Sequence, residues 1–282
     1  MKLATISHAG WEGAAIIDVA EGKAFPLGQD MLSLVAEGGQ PRSGGDAIEL
    51  ADAQILAPIP LPRRNIFCVG KNYRAHAAEF TNSGFDSSAS SAADAVPDAP
   101  IVFSKVPDCV IGPDADVRYP EGVSTKVDYE AELAVVIGKG GRGIAKSDAY
   151  AHVFGYTIVN DLTARDFQSR HKQWLIGKSF DTFCPMGPWL VTADEVDVEN
   201  LSIRCWVNDE LRQDANTKDL IFDIPTLIET LSAGITLYPG DIIATGTPAG
   251  VGIGFDPPRY LSKGDVVTIE IDGLGRLSNV LR

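Results

Sequence analysis

Three acidic residues are where chemistry first shows in this chain. In Asp128-Tyr-Glu130-Ala-Glu132-Leu-Ala-Val-Val-Ile137 the two glutamates stand two positions apart, so on a strand both side chains point to one face. They begin a strand whose continuation is strongly apolar. Two carboxylates running into a core are costly unless protons or a cation compensate. A hard divalent cation such as Mg²⁺ prefers carboxylate oxygens; the competing reading is a solvated sheet face. Asp161 ends the apolar strand 155–159 and opens a helix. It is a third metal-ligand candidate, although Asp at such a junction also serves as an ordinary N-cap. The helix carries Arg165 and Gln168 one turn apart on one face, which puts two polar side chains beside the carboxylates.

A second group lies upstream. Asn72-Tyr-Arg-Ala-His76-Ala-Ala-Glu79 sets His76 and Glu79 at i and i+3. On a helical turn the carboxylate can orient and charge-stabilise the imidazole, which makes a general base. The plain alternative is a surface ion pair. Two glycine motifs are decoys. Gly177-Lys178-Ser179 lacks the glycine that a phosphate-binding loop needs at position 172, which is Lys. Gly138-Lys-Gly140-Gly-Arg-Gly143 matches a dinucleotide fingerprint in form, but that fingerprint must open a helix after a strand buried on both faces. Glu130 and Glu132 argue against such a strand, so a dinucleotide- or metal-binding module is kept only as the non-enzymatic alternative.

The elements around these residues read as one large core or a core with a small appended unit. Residues 1–56 are a small β-rich unit with one helix near 31–37. The connector Ala57-Pro-Ile-Pro-Leu-Pro62 is extended, because a residue before Pro is pushed out of the α region. A boundary there divides the chain into 1–62, a small N-terminal domain with its connector, and 63–282, a catalytic domain. Strands are expected at 65–69, 127–137, 153–159 and 242–244, with hairpins turning at Asn208-Asp209 and Asp272-Gly273. One helix is capped by Asp223, buries Ile224, Leu227, Ile228 and Leu231, and stops at Gly234. Residues 83–100 are low in large apolar residues and read either as a surface loop or as a lid.

Composition narrows the partners. With 45% hydrophobic and 22% charged residues this is an ordinary globular chain. A formal charge of −14 speaks against nucleic acid and anionic membranes. A small anion would need locally gathered cations, for which Lys71, Arg74, Arg165, Arg170, Lys172 and Lys178 are candidates. Apolar runs fall far short of the ~20 residues that span a bilayer, and no signal-peptide pattern follows the N-terminus. The four cysteines are scattered, which fits a reducing cytoplasm better than a disulfide scaffold or zinc knuckle. Cys184, near Lys178, is a reactive thiol or buried filler.

Taken in order, these motifs resemble the fumarylacetoacetate hydrolase family over roughly residues 63–282. The resemblance rests on Cys68-Val-Gly-Lys-Asn-Tyr73, His76-x-x-Glu79, Val102-Phe-Ser-Lys105, Asp128-Tyr-Glu130-Ala-Glu132, Asn160-Asp-Leu-Thr-Ala-Arg-Asp166, Gly177-Lys-Ser-Phe-Asp181 and Thr245-Gly-Thr-Pro248. It implies an α+β, mainly β architecture: a mixed β-roll core, a small N-terminal α/β domain and a homodimer. It further implies Mg²⁺ or Mn²⁺ on Glu130, Glu132 and Asp161. Catalytic roles then fall to His76, Glu79 and Lys178, and substrate contacts to Tyr73, Lys105, Arg165, Gln168 and Thr247. Two departures stand out: Lys71, where many relatives have Arg or Leu, and the longer 83–100 stretch. The expected reaction is metal-dependent hydrolysis of a C–C bond in a 2,4-dioxo acid, an acylpyruvate or diketo sugar acid, releasing pyruvate. The alternative on the same site is decarboxylation or tautomerisation of oxaloacetate, or isomerisation or hydration of an unsaturated 2-oxo acid.

Overall fold

Strands dominate the computed structural model, which describes residues 1–41, 44–82 and 95–282. The N-terminal segment forms β1 (Lys2–His8), β2 (Trp11–Asp18), β3 (Lys23–Pro26), helix α1 (Met31–Ala36), β4 (Ile48–Glu49) and β5 (Gln54–Ile55). After the connector come β6 (Ile66–Gly70), α2 (Arg74–Asn82), β7 (Ile101–Lys105) and β8 (Val110–Ile111). The acidic segment contains β9 (Val127–Asp128), β10 (Ala131–Ile137), β11 (Val153–Asn160) and β12 (Thr163–Ala164). Helices α3 (Arg165–His171) and α4 (Leu175–Lys178) precede β13 (Cys184–Thr192). The remainder is β14 (Ser202–Val207), β15 (Glu210–Asn216), α5 (Ile224–Ser232), β16 (Ile242–Ala244), β17 (Val266–Ile271) and β18 (Gly275–Val280).

The large sheet runs β4-β3-β2-β1-β13-β11-β10-β16-β6-β7, with β5 on β1 and β8 on β13. It is mixed: β16 pairs β6 in parallel, whereas β10 pairs β11 and β16 antiparallel. Strand β1 joins the N-terminal strands to this sheet through Leu3 opposite Leu190 on β13. A second sheet, β15-β14-β17-β18, closes the molecule. Among the described residues no helix is long and apolar enough to cross a membrane.

Local chemistry explains the elements that hold the site. In α5 the Asp223 carboxylate accepts the Thr226 N–H at 2.9 Å, and Pro225 sits in the first turn. Asn208 turns the β14–β15 hairpin at φ 55°, a left-handed conformation that Asn tolerates. Three expectations need correction. The predicted strand 127–137 is interrupted at Tyr129 and Glu130, between β9 and β10. Asp161 is not a helix cap, since Ala164 occupies that position in α3 and makes no side-chain cap bond. Nor does Glu132 keep its strand from being buried on both faces. Strand β10 is buried throughout, with Leu133, Val135 and Ile137 in one core and Ala134 and Val136 in another. The stretch 138–143 nevertheless opens no helix. Gly138 serves packing, since a Cβ there would meet the Phe154 Cβ at 2.9 Å, and Gly143 takes a left-handed backbone at φ 66°. Of the proposed loop or lid at 83–100, residues 83–94 lie outside the described residues.

Candidate active site

The carboxylates converge because Glu130 and Glu132 flank the start of β10, and Asp161 follows its neighbour β11. The Asp161 N–H donates to the Glu130 carbonyl at 2.9 Å, which ties the two segments together. One carboxylate oxygen from each of Glu130, Glu132 and Asp161 lies within 4.8 Å of the others, and all three residues are buried. Glu130 is paired twice, with Lys178 Nζ at 2.6 Å and Arg165 Nη1 at 2.7 Å. Asp161 is also paired twice, with Lys178 at 2.7 Å and Lys105 at 2.6 Å. Glu132 accepts only the Gly246 N–H at 2.9 Å and has no ion pair among the described residues.

Electrostatics separates the two glutamates. Burial would raise the Glu130 carboxyl, but Lys178 and Arg165 outweigh it and hold the group at about 2. Burial, reinforced by Asp161 and Glu130, pushes Glu132 well above the usual carboxylate range. Among the described residues no cation pairs with Glu132, which lies inside a cluster of hard oxygen ligands. That donor set fits a divalent cation of the Mg²⁺ class, and its three members are those expected from sequence.

Lys178 reaches the cluster because α4 packs closely against α3. A Cβ on Gly177 would meet the Gln168 backbone nitrogen at 2.5 Å, so Gly177 allows the close packing that brings Lys178 to the carboxylates. Arg165 is fully buried: Nε donates to Asp128 at 2.8 Å and Nη1 to Gln168 Oε1 at 3.1 Å. Its Nη2 has no partner among the described residues, and Arg165 lines a narrow pocket with Glu130, Glu132, Lys178 and Gln168. Lys71, in the left-handed region at φ 56°, lines the same pocket, a backbone choice that costs a non-glycine residue roughly 1–2 kcal/mol. Phe80, Phe103 and Trp174 form an aromatic wall, with edge-to-face contacts at 5.9 and 5.1 Å centroid separation.

His76 also lines this pocket, and its Nδ1 lies 3.1 Å from Glu79 Oε2. Glu130 and Glu132 line the same pocket, so base and metal-ligand candidates share one cavity. Of the expected substrate contacts, Arg165, Gln168 and Thr247 line the pocket. Thr247 Oγ1 accepts from Gln213 at 2.8 Å. Lys105 is placed differently, behind Asp161, with its ammonium occupied by Asp161 and the Leu162 and Lys178 carbonyls. Tyr73 is buried beside an isolated bridge to Leu220 and lines a separate surface pocket. Cys184 is buried, and the neighbouring Cys109 thiol together with burial raises its pKa, so it is filler and not a reactive thiol.

Several supporting residues were not singled out from sequence. Asp128 anchors Arg165, and Gln213 bridges the Ala131 N–H and Thr247. The Asn72 amide donates to the carbonyls of Thr245 and Phe222 at 2.8 and 3.0 Å. Asp128 was visible in its motif as a third acid two residues before Glu130. The partners of Gln213 and Asn72 come from distant segments and left no local signal.

Comparison with known proteins agrees with this geometry. The family described as fumarylacetoacetate (FAA) hydrolase C-terminal matches residues 65–282. The chain belongs to the fumarylacetoacetate hydrolase family. Its members include the oxaloacetate tautomerase YisK of Bacillus subtilis (strain 168), 51% identical over 95% of this chain and 86% of that protein. The human mitochondrial oxaloacetate tautomerase FAHD2A is 47% identical over 81% of this chain and 69% of its own length. Among solved structures, the fumarylacetoacetate hydrolase EaFAH from Exiguobacterium antarcticum superposes with a TM-score of 0.86. It is 37% identical, covering 100% of this chain and 99% of the other.

Proposed function

We propose that this member of the family is a divalent-metal-dependent tautomerase that interconverts the enol and keto forms of oxaloacetate. The observation that carries this reading is the 51% identity, over 95% of the chain, to a protein named oxaloacetate tautomerase. It favours the alternative drawn from sequence over C–C hydrolysis.

The site's chemistry supports it. Glu130, Glu132 and Asp161 would hold Mg²⁺ or Mn²⁺, which when bound polarises the 2-oxo group as a Lewis acid and acidifies the adjacent C–H. Ketonisation adds a proton to C3 and removes one from the C2 hydroxyl; enolisation reverses both. With Nδ1–H directed at Glu79, the neutral His76 imidazole keeps its Nε2 lone pair for substrate and can exchange that proton. Arg165 and Lys178 line the cavity and offset the charge of a dianionic acid. No activated water is required. Hydrolysis remains the second reading, favoured by the likeness of the whole chain to EaFAH and by a His-Glu pair able to activate water.

The test follows enol absorbance of oxaloacetate, with Mg²⁺ or EDTA, alongside pyruvate release from a panel of acylpyruvates. The reading expects metal-dependent loss of the enol signal without pyruvate. Pyruvate release from an acylpyruvate, with oxaloacetate ketonising at the uncatalysed rate, would establish hydrolysis instead.

A further inference from the structure

The segment Gly250-Val-Gly252-Ile-Gly254 lies outside the metal cluster and the His-Glu pair, yet its backbone touches the supports of both. Its Gly250 N–H donates to Glu79 Oε1 at 3.0 Å, which leaves Oε2 facing His76 Nδ1. Two residues on, the Gly252 and Ile253 N–H groups donate to the two oxygens of Asp128, at 2.7 and 3.0 Å. Asp128 in turn accepts from Arg165 Nε at 2.8 Å, and Arg165 reaches Glu130 at 2.7 Å. One five-residue strap thus contacts the carboxylate behind the base and the carboxylate behind the arginine.

The strap is itself fixed. Tyr129 Oη donates to the Gly250 carbonyl at 2.8 Å, and the Arg259 N–H to the Gly252 carbonyl at 2.8 Å. Val251 and Ile253 are buried in a cluster with Phe80 and Trp174. Its glycines are set by space. A Cβ on Gly252 would meet the Arg259 carbonyl oxygen at 2.4 Å and Asp128 Oδ1 at 2.7 Å. A Cβ on Gly254 would meet Glu79 Oε1 at 1.9 Å and its Cδ at 2.2 Å. Gly254 does not need a left-handed backbone, so the room it leaves is room for the Glu79 carboxylate.

We infer that the strap 250–254 is a positioning element for catalysis: its glycine spacing seats Glu79 against His76, and its amides hold Asp128 against Arg165. This rests on the reading of His76 as the proton-transferring group. Gly254 is a positioning residue that acts through Glu79 and touches no substrate.

The experiment is a double-mutant cycle between Gly254→Ala and Glu79→Ala in the full chain with Mg²⁺. Gly254→Ala should lower kcat for oxaloacetate ketonisation at least ~10-fold, within the usual reach of acid–base catalysis. KM and the calorimetric Mg²⁺ affinity should stay within about twofold, and in the Glu79→Ala background the change should add less than about twofold. An equal loss in both backgrounds, or no loss in either, overturns the inference. Deuterium exchange at C3 of pyruvate, read by NMR, repeats the cycle on a reaction that needs the same base to enolise the substrate but does not need oxaloacetate. Exchange by the wild type without oxaloacetate ketonisation would sink the proposed substrate and still read the strap. Melting temperatures cover a variant that folds poorly: Glu79→Ala should restore Gly254→Ala by removing the collision, and failure to restore it also counts against the strap.

Discussion

Glu132 is a buried carboxylate that accepts one amide and forms no ion pair among the described residues, while Glu130 and Asp161 have two ion pairs each. That asymmetry makes Glu132 the residue most dependent on a bound metal. Arg165 is the opposite case, a buried cation shared by Asp128 and Glu130. Removing one partner of a buried pair strands the other, so Arg165→Met should cost about 3–5 kcal/mol, read as a shifted urea midpoint at unchanged m-value. A change below about 1 kcal/mol would mean that the surrounding amides and Lys178 compensate for it. Lys178→Met should lower turnover at least ~100-fold, as loss of a preorganised charge does, with calorimetric Mg²⁺ binding retained. Loss of metal binding in that variant would assign Lys178 to holding the carboxylates and not to the chemistry. At this scale much was legible in sequence: Glu130 and Glu132 do meet, although Glu130 precedes β10 and lies outside the strand that period two assumed, and His76 and Glu79 meet at i, i+3. Lys105 was not. Its motif marked it as important, but only the fold shows that its ammonium is occupied behind Asp161.

The elements that aim these residues are ordinary ones, and local rules found most of them. The α5 helix begins and ends where its cap, proline and glycine indicated. Burial alone would raise the Asp223 carboxyl, but its bonds to Thr226 and Lys146 lower it below its ordinary value. A carboxylate lowered on folding contributes stability that is present above its unfolded pKa and disappears as pH falls through its folded pKa. Asp223→Ala should therefore cost about 1 kcal/mol near neutral pH, with the difference from wild type closing in acid, by thermal melts across pH. A constant difference would show that the cap works only by shape. What local rules missed was the break between β9 and β10 and the role of the strap. Both depend on contacts across the chain: Gly250 meets Glu79 171 positions away, and Gly252 meets Asp128 at a separation of 124. The glycine spacing 250, 252, 254 was visible, but without Glu79 and Asp128 opposite it reads as a flexible loop.

For the whole molecule, the β1–β13 pairing joins the N-terminal strands to the sheet that carries the site. A fragment starting at residue 63 would expose the edge of β13, and unpaired edges invite association. That fragment should aggregate in light scattering where the full chain stays dispersed; a dispersed, active fragment would show that residues 1–62 are dispensable. A metal that binds only the folded state should add about 2.7 kcal/mol at 100-fold its dissociation constant, visible as a rise in melting temperature with Mg²⁺ that EDTA reverses. The central claim, a metal-dependent oxaloacetate tautomerase built on Glu130, Glu132 and Asp161, meets its most direct test in Glu132→Gln. Mg²⁺ calorimetry and enol-oxaloacetate turnover should be measured on the same preparation of that variant and of wild type. Wild type should bind Mg²⁺ and turn over, while Glu132→Gln, still folded, should do neither. Full turnover in Glu132→Gln, or wild-type turnover indifferent to EDTA, would contradict it.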